Sequence, residues 1–589
     1  MRLSLALTAI SLCLMPASPA QTCRTTVVDR ASGSWTLAGS PYCLATSVLV
    51  ETALTIEAGV QVLGRPGTAF IVRGTLTVDG TAAEPVVFTS EDPSLRWDGV
   101  RFEAGSSAST LVHASIERAS ASGVQVTNAT PSFTHCRFRD NHRQWGNGGG
   151  LWIRLTGGDF ALRDCVIEDN VADSGGGLWA DLGSGRLVLE RCRIVGNRAE
   201  LDYAGPALLE GGGVRVSANA LEMRDCEVTD NSGSVTLLYG YAWAYGGGIR
   251  ATVSSMTATD CLFARNSLVA LDPYYGDARA EGGAISADEL ALVRCVLRDN
   301  RCEGLYSGLA FGGAVAASRV TMAQCVVAGN AAVAANGYGG AVRASVSVAL
   351  RNCTVARNRI DAWRVVRGPG IDADAWAGSE PSTITNSIVY ENEPAGVAPF
   401  AGPSPTVTFS DVEGGLPGVG NLDVSPGFRG PTSSTACGAL ELGQGSPCVD
   451  AGDPSPQCND VVFPPSLGGP RNDMGAHGGP GAAGWREWER AAPTLRIAPP
   501  RAACPVAVLD ATISGGALTQ PVAVFVEAVD GIPLPLPAWL PQLGTYCAAG
   551  REELAYAIGT PVCGVTSVTF RAYSLTASGT LRASNAVVW

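Results

Sequence analysis

Eight cysteines, Cys136, Cys165, Cys192, Cys226, Cys261, Cys295, Cys325 and Cys353, are each followed five residues later by an asparagine. The asparagines are Asn141, Asn170, Asn197, Asn231, Asn266, Asn300, Asn330 and Asn358, and a ninth copy carries Ser387 and Asn392 in the two places. Regularly spaced cysteines could hold metal or form disulfides. Zinc requires Cys and His ligands gathered into a tetrahedron, and the chain has only four histidines. Side chains in single file all point the same way, which argues against bridges between neighbours even where the Cα spacing would allow them. Ser387 shows that the thiol is dispensable at that position. The cysteines therefore read as compact apolar residues of a core.

Two other sets of residues could carry chemistry. Asp450, Asp453, Asp460 and Asp473 form an acid-rich segment. Calcium is the one cofactor they could take, with Asp450 and Asp453 as candidate ligands; the alternative is that they shape a closing segment. A polysaccharide lyase would need a calcium cluster with a basic residue, and a glycoside hydrolase would need neighbouring acids for general acid and base work. Elements such as "NTD", "DD", "GHG" and "DPHD" are absent. No catalytic residue is therefore assigned, and the lyase or hydrolase stands as the alternative function.

The second set is aromatic. Tyr203, Tyr239, Tyr241, Trp243, Tyr245, Tyr274, Tyr275, Tyr306 and Tyr338 all fall between a repeat asparagine and the next glycine motif. Trp152 and Trp179 occupy equivalent outward positions in neighbouring repeats, where Arg215 and Arg250 follow. Exposed aromatics stack on sugar rings or anchor protein partners. Tyr239, Tyr241, Trp243, Tyr274, Tyr275, Tyr306, Trp152 and Trp179 are the candidate ligand-binding residues, for a polysaccharide or a surface protein.

What positions these residues is a repeat. A second motif alternates with the first, starting at Gly148, Gly175, Gly211, Gly246, Gly282, Gly312 and Gly339 as "GGGL", "GGGV", "GGAI" and the like, with "GPGI" at Gly368. Glycine to next cysteine spans 17, 17, 15, 15, 13, 13 and 14 residues, whereas asparagine to next glycine spans 7, 5, 14, 15, 16, 12 and 9. A constant arc beside a variable one is the mark of a solenoid whose loops emerge along one edge. The cysteine and the residue two later are apolar between mostly polar neighbours. This period of two means strands, and short strands broken by Gly and Asn predict a right-handed parallel β-helix. The asparagines are expected to turn one corner in left-handed backbone and to bond from coil to coil. Glycine pairs turn the other corner. Charges beside the cysteines, such as Asp164 and Arg191, are expected to form a cross-strand ladder.

Composition agrees. The 589-residue chain has 72 glycines, only 16% charged residues and a net charge of −13, with no lysine, so all 41 basic residues are arginine. Lysine-based chemistry is excluded, and nucleic acid is not an expected partner. Residues 1–20 read as a signal peptide: Arg2, the apolar "LSLALTAISLCLM" and a small-residue site at "SPA". No later stretch is long and apolar enough to span a membrane. The mature protein is expected to be secreted or held at the cell surface, as a monomer.

The paired "GG[GA][LIV]" and "FRDN"/"FARN"-type tetrapeptides resemble the passenger repeats of chlamydial polymorphic outer-membrane proteins. More broadly the chain resembles secreted bacterial β-helix proteins, in which the solenoid serves adhesins, lyases, hydrolases and structural proteins. "WDGVRFEAGS" and the stretch before it look like the first coils of such domains, and "SPCVDAGD…RNDMGAH" like their closing segment. The boundaries expected are 21–130 for the N-terminal cap and first coils, 131–430 for the repeats and 431–490 for the closing segment. Residues 493–589 are expected to fold as a small Ig- or fibronectin-III-like β-sandwich. Outside the repeats the cysteines are even in number, which suggests disulfides in an exported chain; Cys23–Cys43 and Cys547–Cys563 are the expected pairs.

Overall fold

The computed structural model describes residues 23–203, 207–237, 241–272, 278–373, 380–463 and 465–485, with the backbone of the strands between 494 and 588. One unit spans Gln21–Arg486; Glu487–Trp589 and Met1–Ala20 fall in a second. The expected signal peptide, and Cys547 and Cys563, lie outside the described residues.

One coil illustrates the solenoid. Gly175 opens it, and strand Leu178–Asp181 leads to strand Arg186–Glu190. A corner at Cys192 gives strand Arg193–Val195, and a corner at Asn197 gives an outbound strand, Arg198–Tyr203. Strand Ala207–Glu210 returns to the next glycine motif. The following coil repeats this in parallel register, with Leu178 opposite Val214, Ile194 opposite Val228 and Arg198 opposite Ser232. Post-cysteine strands form one parallel sheet of fifteen strands, and the glycine and pre-cysteine strands a second of twenty-two. This is a parallel β-helix, as the spacing predicts. Period two sends Phe138, Ile167, Ile194, Val228, Phe263, Leu297, Val327 and Val355 inward, where they stack fully buried.

The cysteines line the same core as free thiols. They also bond: Cys192 Sγ lies 3.3 Å from Leu162 O and 3.4 Å from Glu190 O. Ser387 does the same work, donating its hydroxyl to Thr385 O at 2.8 Å and accepting the Cys353 N–H at 3.1 Å. The asparagines form an unbroken ladder from Asn141 to Asn392, in which each Nδ2 donates to the next Oδ1 at 2.8–3.0 Å.

One expectation shifts by a residue. The left-handed backbone belongs to the residue before each asparagine, among them Asp169 (φ 55°), Asp230 (φ 58°) and Arg265 (φ 55°). That residue points away from the solenoid core, while the asparagine must point inward to reach the ladder. At the other corner the residue before each cysteine is left-handed and carries the charge ladder: Arg191 pairs with Asp164 at 2.6 Å and Arg294 with Asp260 at 2.6 Å.

The variable segments are not loops. Outbound strands Arg198–Tyr203, Ser232–Leu237 and Ser267–Leu271 stack in register, as do return strands Ala207–Glu210, Ala242–Tyr245 and Ala278–Glu281. In the next coils one strand runs out and back, as Arg301–Phe311, Ala331–Tyr338 and Arg359–Arg367. The result is a two-layered fin, a ten-stranded sheet folded on itself. Its core is separate from the main one and dominated by alanine, including Ala199, Ala244, Ala270, Ala280, Ala310 and Ala332. Loops were expected because the segments vary in length; stacking pairs their backbones regardless.

The closing segment folds back over the outer face of the post-cysteine sheet. Leu440, Ala476 and Trp485 pack on Val326, Ala328 and Ala356, and Leu442 and Met474 on Ile388. Hydrogen bonds fix this strap: Ala476 N to Thr354 Oγ1 at 3.0 Å, Asn352 Nδ2 to Asn472 Oδ1 at 2.9 Å and Thr435 Oγ1 to Asp299 Oδ1 at 2.7 Å. Thr354, an outward position by periodicity, is consequently buried.

Cys23 and Cys43 form the expected disulfide, whereas Cys448 and Cys458 are free. In the second unit Ala507–Ser514 pairs antiparallel with Thr494–Ile497 and Arg551–Ile558, and Pro521–Val529 with Ile532–Thr545 and Val568–Leu575. The described strands of this unit form two antiparallel sheets, of three and five strands. Among the described residues no helix is long and apolar enough to cross a membrane.

Candidate functional site

Each return strand of the fin ends one residue before a glycine motif. The first glycine has φ between 56° and 75° and turns the chain sharply into the next strand of the solenoid wall. An added Cβ at Gly246 would meet Ile249 O at 2.1 Å, so the turn admits no side chain. The last fin residue and the residue five later then face each other across a re-entrant corner. These pairs are Glu210 and Arg215, Tyr245 and Arg250, Glu281 and Ser286, Phe311 and Ala316, Tyr338 and Arg343, and Arg367 and Asp372. Both walls stack in register, for example Glu210–Tyr245–Glu281 on the fin and Arg215–Arg250–Ser286 on the solenoid. The corner therefore runs parallel to the solenoid axis.

At its N-terminal end Trp152 and Trp179 stack, with ring centroids 5.5 Å apart and 5° between planes. Arg154 lies 5.2 Å over Trp152 and 5.6 Å over Trp179, and Arg215 lies 5.4 Å over Trp179. Trp179 is buried by this packing and Trp152 half-buried. In the middle, Phe311 and Tyr338 stack at 5.1 Å and 13°. Arg279 sits 4.9 Å over Phe311, and Arg250 sits 4.8 Å over Tyr245. Burial, and then the Glu281 carboxylate, push the Tyr245 phenol above its ordinary pKa.

Charge is arranged in two triads. Glu210 is shared by Arg215 at 3.3 Å and Arg250 at 3.7 Å. Asp372, fully buried, is shared by Arg343 at 3.1 Å and Arg367 at 3.2 Å. Such a corner presents flat aromatic faces beside planar guanidinium groups, which suits sugar rings and oxyanions.

Of the remaining sequence candidates, Tyr241 and Trp243 pack together on the corner side of the fin, with centroids 4.7 Å apart. Tyr306 is exposed near the fin's outer end. Tyr239, Tyr274 and Tyr275 lie outside the described residues. Sequence reasoning missed Arg279, Glu281, Phe311, Arg343, Arg367 and Asp372. The signal was present in "EGGGVR", "YGGGIR", "EGGAIS", "FGGAVA", "YGGAVR" and "RGPGID", each with a facing pair at its two ends.

The acid-rich segment lies in the strap. Asp450 accepts the Gly469 N–H at 2.8 Å, Asp453 the Ser455 N–H at 2.8 Å and Asp473 the Leu467 N–H at 2.7 Å. Asp460 accepts the Asp473 N–H at 3.1 Å, and burial pushes its pKa up to about 7. Among the described residues the one group with metal-ligand spacing is Cys23, Cys43 and Glu91, whose cysteines form the disulfide.

The model of a family described as a right handed beta helix region matches residues 94–268, the coils that carry Trp152, Trp179, Arg215 and Arg250. No curated protein and no solved structure matches the chain. With the parallel register of every coil, this makes the chain a right-handed parallel β-helix repeat protein.

Proposed function

We propose that this is an exported or surface-held binding protein that uses the fin corner to hold a glycan. The observation that carries this reading is the corner itself, where Trp152, Tyr245, Phe311 and Tyr338 share one axial track with arginines. The repeats' resemblance to chlamydial passenger domains supports a surface role, and the signal-peptide-like composition of residues 1–20 supports export. Binding is preferred to hydrolysis because each acid in the corner is ion-paired: Glu210 with Arg215, Glu281 with Arg279, Asp372 with Arg343. A glycan array probed with the purified chain, and with a Trp152→Ala/Trp243→Ala variant, tests the reading. Retention of specific glycans that the variant loses is expected. Silence on the array, with protein partners recovered instead through the same residues, would replace the glycan by a protein ligand.

A further inference from the structure

One exposed aromatic lies beside the corner at its N-terminal end. Trp145 belongs to the first fin arm, between Asn141 and Gly148, and is 74% exposed. Its backbone is left-handed, with φ 59°. Among the described residues from 131 to 392, every other non-glycine residue in that conformation but one stands directly before a repeat cysteine, its counterpart Ser387, or a repeat asparagine. The other exception is Tyr306, near the fin's outer end. Left-handed backbone costs free energy under a bulky side chain and persists only where the surroundings hold it.

Here they do hold it. Bridges between His142 and Val171 and between Asn147 and Ser174 pin both ends of the arm to the next coil. Arg143 ties the arm to the corner: Nη1 donates to Asn147 O at 3.0 Å and to Ser122 Oγ at 3.1 Å, and the guanidinium lies 5.7 Å over the Trp152 ring. Gly146 leaves room for that arginine, because a Cβ there would collide with Arg143 Nε. One arginine thus closes the loop that presents Trp145 and packs on Trp152.

Trp145 also begins a column of the fin. It stands three residues before its glycine motif, as Leu208 and Trp243 do before theirs, and Leu208 is 48% exposed. Leu208 and Trp243 are direct register partners. The second arm has Ala172 at this offset, and a charge first appears at Arg279. Three coil steps, about 14 Å, separate the first arm from the fourth. Over that length the column is apolar, and the facing wall carries the Trp152–Trp179 stack.

Aromatic side chains in a straight row suit a sugar chain that is itself straight and whose ring faces present C–H groups rather than hydroxyls. Equatorial linkage and substitution give both properties, whereas axial linkage curves the chain. We infer that the ligand is an extended, equatorially linked polysaccharide of the cellulose or chitin kind, and that Trp145 contacts it at the N-terminal end of the corner. This rests on the corner holding a glycan. Such a chain advances by about one coil step per sugar residue, so about four residues reach from Trp243 to Trp145.

The test is equilibrium binding of the full chain to cello-, chito- and malto-oligosaccharides of graded length. It compares the parent protein with Trp145→Gly and Trp145→Phe, and with Trp363→Ala on the fin's exposed outer part. Glycine is at ease in left-handed backbone, so Trp145→Gly should melt no lower than the parent. The cello or chito series should bind more tightly as it lengthens. Trp145→Gly should lose about fivefold or more in affinity, and only for chains longer than about four residues. Trp145→Phe should recover most of that loss, and Trp363→Ala should change nothing. A loss at every length, or at none, would remove Trp145 from the ligand's path while leaving glycan binding intact. Equal binding of the malto series would overturn the extended assignment. Silence of all three series, with another class of glycan retained on the array, would do the same. Silence on the array as well would remove both this inference and the reading beneath it.

Discussion

Asn197 gives two of its three N–H groups to one atom of the next coil: Nδ2 and the backbone N each lie 3.0 Å from Asn231 Oδ1. Asn231 in turn donates Nδ2 to Ile194 O at 2.9 Å and repeats the gesture to Asn266. Replacing Asn231 by alanine would orphan two buried donors and a buried carbonyl. The cost expected is about 3 kcal/mol or more, read as a lowered denaturation midpoint. Arg198→Ala, on the exposed outer side of the fin, should cost under about 1 kcal/mol. Equal midpoints for the two variants would show that the ladder does not hold the coils.

The glycine motif makes a sharper distinction. Gly312 has φ 68°, and a Cβ there would meet Val315 O at 1.8 Å. The third place of the motif is already alanine at Ala284, Ala314 and Ala341. Gly312→Ala should therefore destabilise by more than about 1 kcal/mol, and Gly248→Ala, at a third place, by less. Reversal of that order in thermal melts would contradict the corner geometry.

The thiol column should be chemically silent. Burial pushes the Cys261, Cys295 and Cys325 thiols well above their ordinary pKa. Alkylation of the native protein at pH 8 should leave these three unlabelled, and denaturant should release them to the reagent. Cys295→Ser should be tolerated within about 1 kcal/mol, because Ser387 and Ser410 already bond the same way.

Asp460 gives the strap a pH dependence with a definite sign. Its folded pKa, about 7, lies above the ordinary value of 3.8 because burial disfavours the charged form. The native state thus holds a proton that the unfolded chain has lost. Its stabilising contribution is complete below about pH 4 and declines as pH rises through 7. Between pH 6 and 8 the loss should approach about 1 kcal/mol, and Asp460→Asn should flatten it. His477 works in the opposite direction: burial lowers its pKa to about 4, so its contribution falls away as pH drops from 6.5 towards 4.

The acids of the strap carry a further prediction. Asp450 and Asp453 already accept backbone N–H groups of the strap itself. Treatment with EDTA is expected to leave the thermal midpoint where it was. A midpoint that falls on chelation and returns with calcium would place the ion at these residues.

The solenoid was legible because it follows from spacing that every coil repeats. Inward Ile167 and Ile194, the cysteine column and the charge pair of Asp164 with Arg191 all follow from period two and coil stacking. The left-handed residue was misplaced because sequence shows which residue is invariant in the motif, not which one bends. The fin and strap were hidden for a different reason. Their strands pair with segments far away or of unequal length, so no local period announces them. A trace existed for the strap: the residue after the cysteine is charged at Arg137, Arg193 and Glu227 but apolar at Leu262, Val296 and Val326, and again at Ile388 after Ser387. For the corner the trace was the facing pair around each glycine motif, visible only once the turn at Gly246 is known to close on itself.

The alanine-cored fin ties the lengths of neighbouring inserts together. An arm that reached well past the arms above and below it would expose unpaired backbone and one bare side of its core. The observed spans rise from 5 through 14, 15 and 16 and then fall through 12 to 9 and 10, so no central arm outreaches both neighbours by more than a residue or two. The profile is that of a gable. Excising a central turn, such as the one between Asn231 and Asn266, would bring spans of 14 and 16 into contact and let the roof close. Lengthening a single turn would leave a ridge that nothing covers. Growth and loss in this protein are thereby confined to whole turns, or to several arms at once.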